Sequence, residues 1–441
     1  MKKVIEYAQP VVLLGWSDND LKQELEVLGA EVHDFPRPST NKNYETIRQQ
    51  INFLHQKQVN SSSQKIDSRR ADLERTFRVK FRRNIRKFWY QTKFIIPGAT
   101  QVIRNREIEC LWNDTNFRTV VEVVRTLKID AVFCLTPYIS NEEFVLRAAK
   151  YLQIPMCTSI LSFDNLTTRG WIPIIFDHYF LWNKYNEQEL KRIYPEANDR
   201  SITIVGAPQF DFYYDKNYIW DEKTWRKRIS IPLDRQVILF GGGPPLITPM
   251  EPYWVSQIDD AIERDLVPNN PLILVRPHPL DSIERWVQAL KRTKNVYYDI
   301  PWNIGKNPGF INIRNFDIEK LASTLYYSDV HMNTSSTMTV DGAIFDRPQI
   351  GLAYDDRPGS KYDRASKELY LREHYLPITN SGGLDIAYSY VEMINAIKSA
   401  MLTPQKLKLG REKMVLEICS FNDGKATERV NNSLYSFMQS I

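Results

Sequence analysis

Cysteine is sparse in this chain, and metal-binding spacing is missing. Cys110, Cys134, Cys157 and Cys419 are scattered over 441 residues with no CxxC pair and no histidine at ligand spacing. That excludes a disulfide-stapled scaffold and leads us to expect reduced, inert thiols and no zinc. Long apolar runs are also lacking, since none reaches the roughly 18 residues a spanning helix needs. At the start, MKKVIEYAQPVVLLGW is interrupted by Glu6 and Gln9, and no small-residue cleavage site follows. We read it as the lead into a first strand of a cytoplasmic chain. There is no GxGxxG and no P-loop lysine, so a dinucleotide or ATP site is unsupported.

Nor is there a large excess of one charge: 58 basic residues face 53 acidic ones, a formal +5. Apolar residues make up 43% and charged residues 25%, the balance of a soluble globular protein. The length suits two or three domains.

The charge is unevenly distributed. Arg69 to Lys93 holds ten basic residues against two acidic ones, so the rest of the chain is slightly acidic. Phe77, Phe81, Ile85 and Trp89 recur every four residues within this segment, the spacing of one helical face, with Arg82, Arg83, Arg86 and Lys87 on its flanks. A basic amphipathic helix with an aromatic face suits an anionic membrane surface. The alternative is a stripe packed on its own domain with the cations merely solvated. No nucleic-acid-binding module surrounds it, so no nucleic acid partner is expected. The preceding Gln56–Lys65, polar and serine-rich, reads as a flexible connection.

Short β-rich runs alternate with helical stretches twice over. The first series is Val11–Gly15, Glu31–Phe35, Ala131–Leu135, Pro155–Ile160, His178–Trp182 and Ile202–Gly206. The second is Gln236–Phe240, Leu272–Val275, Val296–Tyr298, Phe310–Ile313, Val330–Asn333 and Gln349–Leu352. Such alternation predicts α/β architecture: two doubly wound, Rossmann-like domains facing each other across a cleft. We expect an acceptor-side domain over 1–210, with the basic helical insertion near 66–100. A linker over 211–232, a nucleotide-donor domain over 233–402 and C-terminal helices over 403–441 follow. Part of the last segment is expected to pack back on the first domain.

Ligands of open parallel sheets bind beyond the strands' carboxyl ends, which directs attention to three motifs. Val330–Asn333 is followed by four hydroxyl residues, Thr334, Ser335, Ser336 and Thr337, and then by a helix carrying Asp341. Hydroxyls and free N–H groups at a helix start suit phosphate, and Asp341 suits a ribose; an ordinary N-cap explains one hydroxyl. Ile273-Leu-Val-Arg-Pro-His-Pro279 stops an apolar strand and presents Arg276 and His278, a planar fork for phosphate and a group that can donate or take a proton near neutrality. Phe240-Gly-Gly-Gly-Pro-Pro245 lets backbone, at Gly242 and Gly243, approach a diphosphate closely. In the first half Asp18, Asp20 and Asp164 are candidates for the base that deprotonates an acceptor hydroxyl, with capping and turn chemistry as the alternatives.

The ArgProHisPro strand end paired with the later SerAsp…ThrSerSer…AspGly…PheAspArgPro block, over Gln236–Tyr354, resembles the C-terminal half of bacterial CDP-glycerol glycerophosphotransferases and related GT-B glycosyltransferases of surface-polysaccharide synthesis. More distantly it is similar to UDP-N-acetylglucosamine 2-epimerases. The resemblance implies a GT-B fold, a nucleotide-diphosphate donor, and no metal or other cofactor. Arg276 and His278 would face the donor's phosphates, Ser335 and Ser336 would bind phosphate, and Asp341 would take the ribose. The HisGlyThr…Lys motif of the glycerophosphotransferases is absent, which favours a glycosyltransferase moving a sugar to a glycan or lipid-linked acceptor. Polyol-phosphate transfer, sugar-nucleotide epimerisation and a non-catalytic nucleotide-binding subunit are the alternatives.

Overall fold

The computed structural model describes residues 3–14, 18–35, 42–94, 98–138, 140–301 and 313–441. The described strands are β1 Val11–Leu14, β2 Glu31–Asp34, β3 Val132–Cys134, β4 Met156–Ser159, β5 His178–Leu181, β6 Ser201–Ile204, β7 Val237–Gly241, β8 Leu272–Arg276, β9 Val296–Tyr298, β10 Val330–Asn333, β11 Gln349–Leu352 and β12 Leu384–Ala387. Most of the expected run Phe310–Ile313, and the Gly15–Ser17 turn, lie outside the described residues.

The chain divides into two units. The first comprises 1–61, 76–208 and 425–441, the second 62–75 and 209–424. In the first, β3 to β6 form a four-stranded sheet in sequence order, and β1 pairs with β2 separately; every pairing is parallel. The last helix, Ala426–Gln439, belongs to this unit and buries Leu434 and Phe437 with Cys157, Phe180 and Val205.

The second unit carries a six-stranded parallel sheet in the order β12-β11-β10-β7-β8-β9. Counted from the β9 edge in the order the chain visits them, the strands run third, second, first, fourth, fifth, sixth, which is the doubly wound arrangement with its switch point between β7 and β10. Every residue of β7, β8, β10 and β11 is buried, as a parallel sheet covered on both faces requires. Trp254, Val255, Ile258 and Trp286 pack against Ile238, Phe240, Ile273 and Val275 in its core.

Two expected connections are instead folded, the first of them within this unit. Of the supposed linker 211–232, Trp225 is fully buried and donates its indole N–H to Thr324 Oγ1 at 3.1 Å. Within 56–65, helices Lys42–Val59 and Ser62–Glu74 almost meet. The Ser63 hydroxyl there is buried 2.9 Å from His374 Nδ1, so a polar stretch is ordered because its small hydroxyls find partners.

Candidate active site

The switch point brings the carboxyl ends of β7, β8 and β10 side by side, with Gly241 in register with both Arg276 and Asn333. The turn after β7 needs glycine for space. A Cβ on Gly242 would lie 3.1 Å from the Trp286 ring and 3.2 Å from the backbone nitrogen of His278. Its own N–H donates to the Arg276 carbonyl at 2.9 Å, so the β7 and β8 loops close on each other directly.

Gly243 donates its N–H to both carboxyl oxygens of Glu251, at 3.0 and 2.9 Å. Glu251 opens helix Glu251–Glu263 and is fully buried. Burial pushes it up to about 8, against the bonds from Gly243 and Thr248, the charge of Arg285 and the neighbouring Thr334. It therefore ties the loop after β7 to helix Glu251–Glu263 as a neutral acid. A carboxyl protonated in the fold but ionised when unfolded above its ordinary value of 4.5 makes the native state lose stability as pH rises from there to about 8. Glu251→Gln should flatten that loss: between about pH 5 and 8 the wild-type melting temperature falls by several degrees more than the variant's. Parallel melting curves for the two proteins would contradict this assignment.

At the end of β8, Arg276 and His278 part company. Arg276 turns inward, its Nη1 2.5 Å from Asp299 Oδ2, with Lys320 Nζ 3.0 Å from the other oxygen and Thr324 Oγ1 donating at 3.1 Å. His278 stays half-buried at the surface, and its Nδ1 accepts the Leu280 N–H at 3.0 Å. Burial lowers its pKa, with Asp281 opposing. The neutral ring must then carry its proton on Nε2, which makes that nitrogen a hydrogen-bond donor. Asp281 fastens the loop below by accepting from Arg285 and from the Trp286 indole at 2.7 Å.

The hydroxyls after β10 also separate. Asn333 Oδ1 accepts the Ser336 N–H at 3.1 Å and the Thr339 hydroxyl at 2.9 Å, shaping the turn. Thr334 and Ser335 are buried, Ser336 is half-buried and Thr337 is exposed. Ser335 has a left-handed backbone, φ 49°. Its hydroxyl donates to the Leu369 carbonyl at 3.0 Å, and Arg372 Nη2 donates to its carbonyl and hydroxyl at 2.7 and 2.8 Å. The Ser336 hydroxyl accepts the Met338 N–H at 3.3 Å, where helix Met338–Ile344 begins. Asp341 is buried and accepts from the Tyr213 hydroxyl. Burial pushes it up to about 6, opposed by the Tyr213 bond and by the nearby Arg276 charge.

The structure thus gathers Gly242, Gly243, Arg276, His278 and 334–341 in one unit. Asp18 and Asp164 lie in the other, each serving local structure. Asp18 caps helix Asn19–Val27 by accepting the Leu21 N–H at 3.0 Å. Asp164 accepts from the hydroxyls of Ser162 and Thr168, at 2.5 and 3.2 Å. The basic helix runs Phe77–Lys93 in the same unit, and its apolar stripe is uncovered, with Phe77 80% and Trp89 59% exposed. Its far end is fixed by Tyr90 and Phe94, whose rings lie 5.3 and 6.2 Å from that of Phe53. Glu251 and Arg372 escaped the sequence reading because their partners lie on other loops and no local pattern marks them. Among the described residues no cluster of three or more His, Cys, Asp or Glu is placed to hold a metal ion, and no helix is long and apolar enough to cross a membrane.

Comparison with known proteins adds the following. The family described as CDP-Glycerol:Poly(glycerophosphate) glycerophosphotransferase matches residues 175–436, more than half of the chain. A teichoic acid glycerol-phosphate transferase of Staphylococcus aureus (strain NCTC 8325 / PS 47) is 24% identical over 265 residues, covering 59% of this chain; the chain spans 60% of that relative's length. Among solved structures, S. aureus MnaA with UDP aligns with a TM-score of 0.49 at 14% identity, covering 74% of this chain and 80% of that one. The wall teichoic acid polymerase TagF aligns with a TM-score of 0.40 at 19% identity, covering 60% and 58%.

Proposed function

Because this chain belongs to the CDP-glycerol:poly(glycerophosphate) glycerophosphotransferase family, we propose that it transfers glycerol phosphate from CDP-glycerol to a hydroxyl of a teichoic-acid-type polymer. The observation that carries the reading is the switch point of the six-stranded sheet, where the loops bearing Gly242 and Gly243, His278, and Ser336 and Thr337 leave the adjacent ends of β7, β8 and β10. In this reaction the acceptor oxygen attacks the phosphorus bearing glycerol, the bridging P–O bond breaks, CMP leaves with the electron pair, and the acceptor proton passes to a base. The protein's part is positioning and charge stabilisation. His278 Nε2–H donates to a phosphoryl oxygen, and the glycine loop and the Ser336 and Thr337 groups cradle the diphosphate without a metal cofactor. Asp341, buried and bound by the Tyr213 hydroxyl, is the candidate for the ribose.

A second reading, transfer of a sugar from a nucleotide-diphosphate donor, rests on the missing HisGlyThr…Lys motif. Incubation with CDP-glycerol and a panel of UDP- and GDP-sugars, with acceptor products identified by mass spectrometry, separates the two. Growth of the acceptor by glycerol phosphate with release of CMP is expected. Addition of a hexose would replace the first reading with the second, and nucleotide binding without turnover of any donor would leave a binding subunit. The exposed aromatic stripe and its flanking cations suit attachment at an anionic membrane surface, which would bring the site to a lipid-linked acceptor.

A further inference from the structure

Helix Ser62–Glu74 comes from the first half of the sequence, yet it belongs to the unit built on the six-stranded sheet and lies outside the family-matched residues. It is tied there along its length. The Ser62 hydroxyl donates to the Leu371 carbonyl at 3.3 Å, Asp67 lies 3.5 Å from Arg372, and Arg69 pairs with Glu368 at 3.2 Å. In its middle Arg70 is only 2% exposed.

The surroundings of Arg70 give it no ion pair, only the field of Glu251, Asp355 and Asp67 at a distance. Nε donates to the Ile247 carbonyl and Nη2 lies 3.4 Å from Met250 Sδ, while Nη1 is buried with no hydrogen-bond partner. No carboxylate lies within ion-pair distance of it among the described residues. The nearest acids are engaged elsewhere: Asp355 is bound by Arg357 at 2.8 and 2.6 Å, Asp67 faces Arg372, and Glu251 holds Gly243. Burial pushes the guanidinium down to about 10, so it stays charged at neutral pH. A buried cation without an ion pair is costly, and the Tyr362 ring, 5.6 Å from the guanidinium, offsets only part of that cost, so fold stability is a poor reason to keep it. Its location supplies one. Ile247 and Met250 belong to the segment joining the glycine loop to Glu251, and the neighbouring Arg372 holds Ser335 at the end of β10.

We propose that Arg70 is an anion-site residue of the donor pocket, a cation without an ion pair of its own, set beneath the switch-point loops, whose field favours the donor's diphosphate. The inference rests on the donor-site reading above and extends it to a residue that the family match does not reach. In a low-dielectric interior a charge acts over several ångströms, so direct contact is not required.

Calorimetric titration of the full chain with CDP, cytidine and inorganic pyrophosphate, for wild type, Arg70→Met and Arg70→Lys, tests it. Arg70→Met should weaken CDP binding by about 10- to 100-fold and leave cytidine binding unchanged, whereas Arg70→Lys keeps most of the affinity. The ligand-free Arg70→Met protein should melt at or above the wild-type temperature, because an apolar side chain of similar volume replaces an unpaired buried charge. Equal CDP affinity in wild type and Arg70→Met would overturn the proposal. Loss of cooperative melting in both variants would overturn it too, by making the residue purely structural. If wild type binds no nucleoside diphosphate, the donor-site reading fails, and pyrophosphate decides the present proposal alone. A pyrophosphate-induced melting shift in wild type that vanishes in Arg70→Met upholds it, and a shift absent from both, or equal in both, overturns it.

Discussion

Changing His278 to alanine lowers turnover of the proposed transfer by about 10²- to 10⁴-fold, the range for loss of a positioned proton-transfer or hydrogen-bonding group, and leaves the melting temperature nearly unchanged. The ring is half-buried, and among the described residues its one hydrogen bond to the fold comes from the Leu280 N–H, so its removal disturbs little else. Its neutral Nε2–H tautomer is the form that donates to a phosphoryl oxygen, and the lowered pKa keeps that form in place through neutrality. Arg276→Ala behaves in the opposite way. It strips the partner from Asp299, which is fully buried beside Lys320, and a broken buried pair costs about 3–5 kcal/mol. Steady-state kinetics and melting curves on both variants separate the two: His278→Ala with wild-type turnover would remove the residue from the reaction.

Membrane partition shows the second large effect. Each basic side chain near an anionic lipid surface contributes about 1 kcal/mol, so changing Arg82, Arg83, Arg86 and Lys87 together to glutamine should reduce binding to phosphatidylserine-containing vesicles by about 10²- to 10³-fold. Arg83 is half-buried and has a partner of its own, which pulls the expectation below the full sum of four. Raised salt should weaken wild-type binding in the same direction, and neutral phosphatidylcholine vesicles should bind both proteins equally poorly. Sedimentation of protein with vesicles measures all of this. Undiminished binding of the quadruple variant to the anionic vesicles would assign the exposed stripe around Phe81 and Trp89 to another partner.

The parts of the fold that can be read from the sequence are those whose burial leaves a local trace. Val237–Gly241 and Leu272–Arg276 are buried on both faces and read as unbroken apolar runs. β12 leaves no such trace: Leu384–Ala387 follows a glycine pair and holds Asp385, and it is a strand because β11 pairs with it. Composition misleads at 211–232, where charged residues suggest a linker while Trp225 sits in the core against Thr324. The site divides along the same line. Arg276, His278 and the hydroxyl cluster announce themselves by neighbouring residues in the sequence. Whether a hydroxyl points into a pocket or, as at Ser335, to the Leu369 carbonyl depends on a loop 34 residues away. Arg70 and the Ile247 carbonyl, 177 residues apart, share nothing in the one-dimensional text.

The way the chain threads its two units has a consequence for how such proteins diversify. The backbone passes from one unit to the other after Ser61, after Arg75, after Pro208 and after Gly424. A single recombination event after Pro208 would leave both units mosaics of two parents, the first in its closing helix Ala426–Gln439 and the second in helix Ser62–Glu74. Swapping halves between two such proteins therefore never transfers a whole unit. Whatever the loops 242–248, 277–282 and 334–337 bind is altered more cleanly by substitution in place.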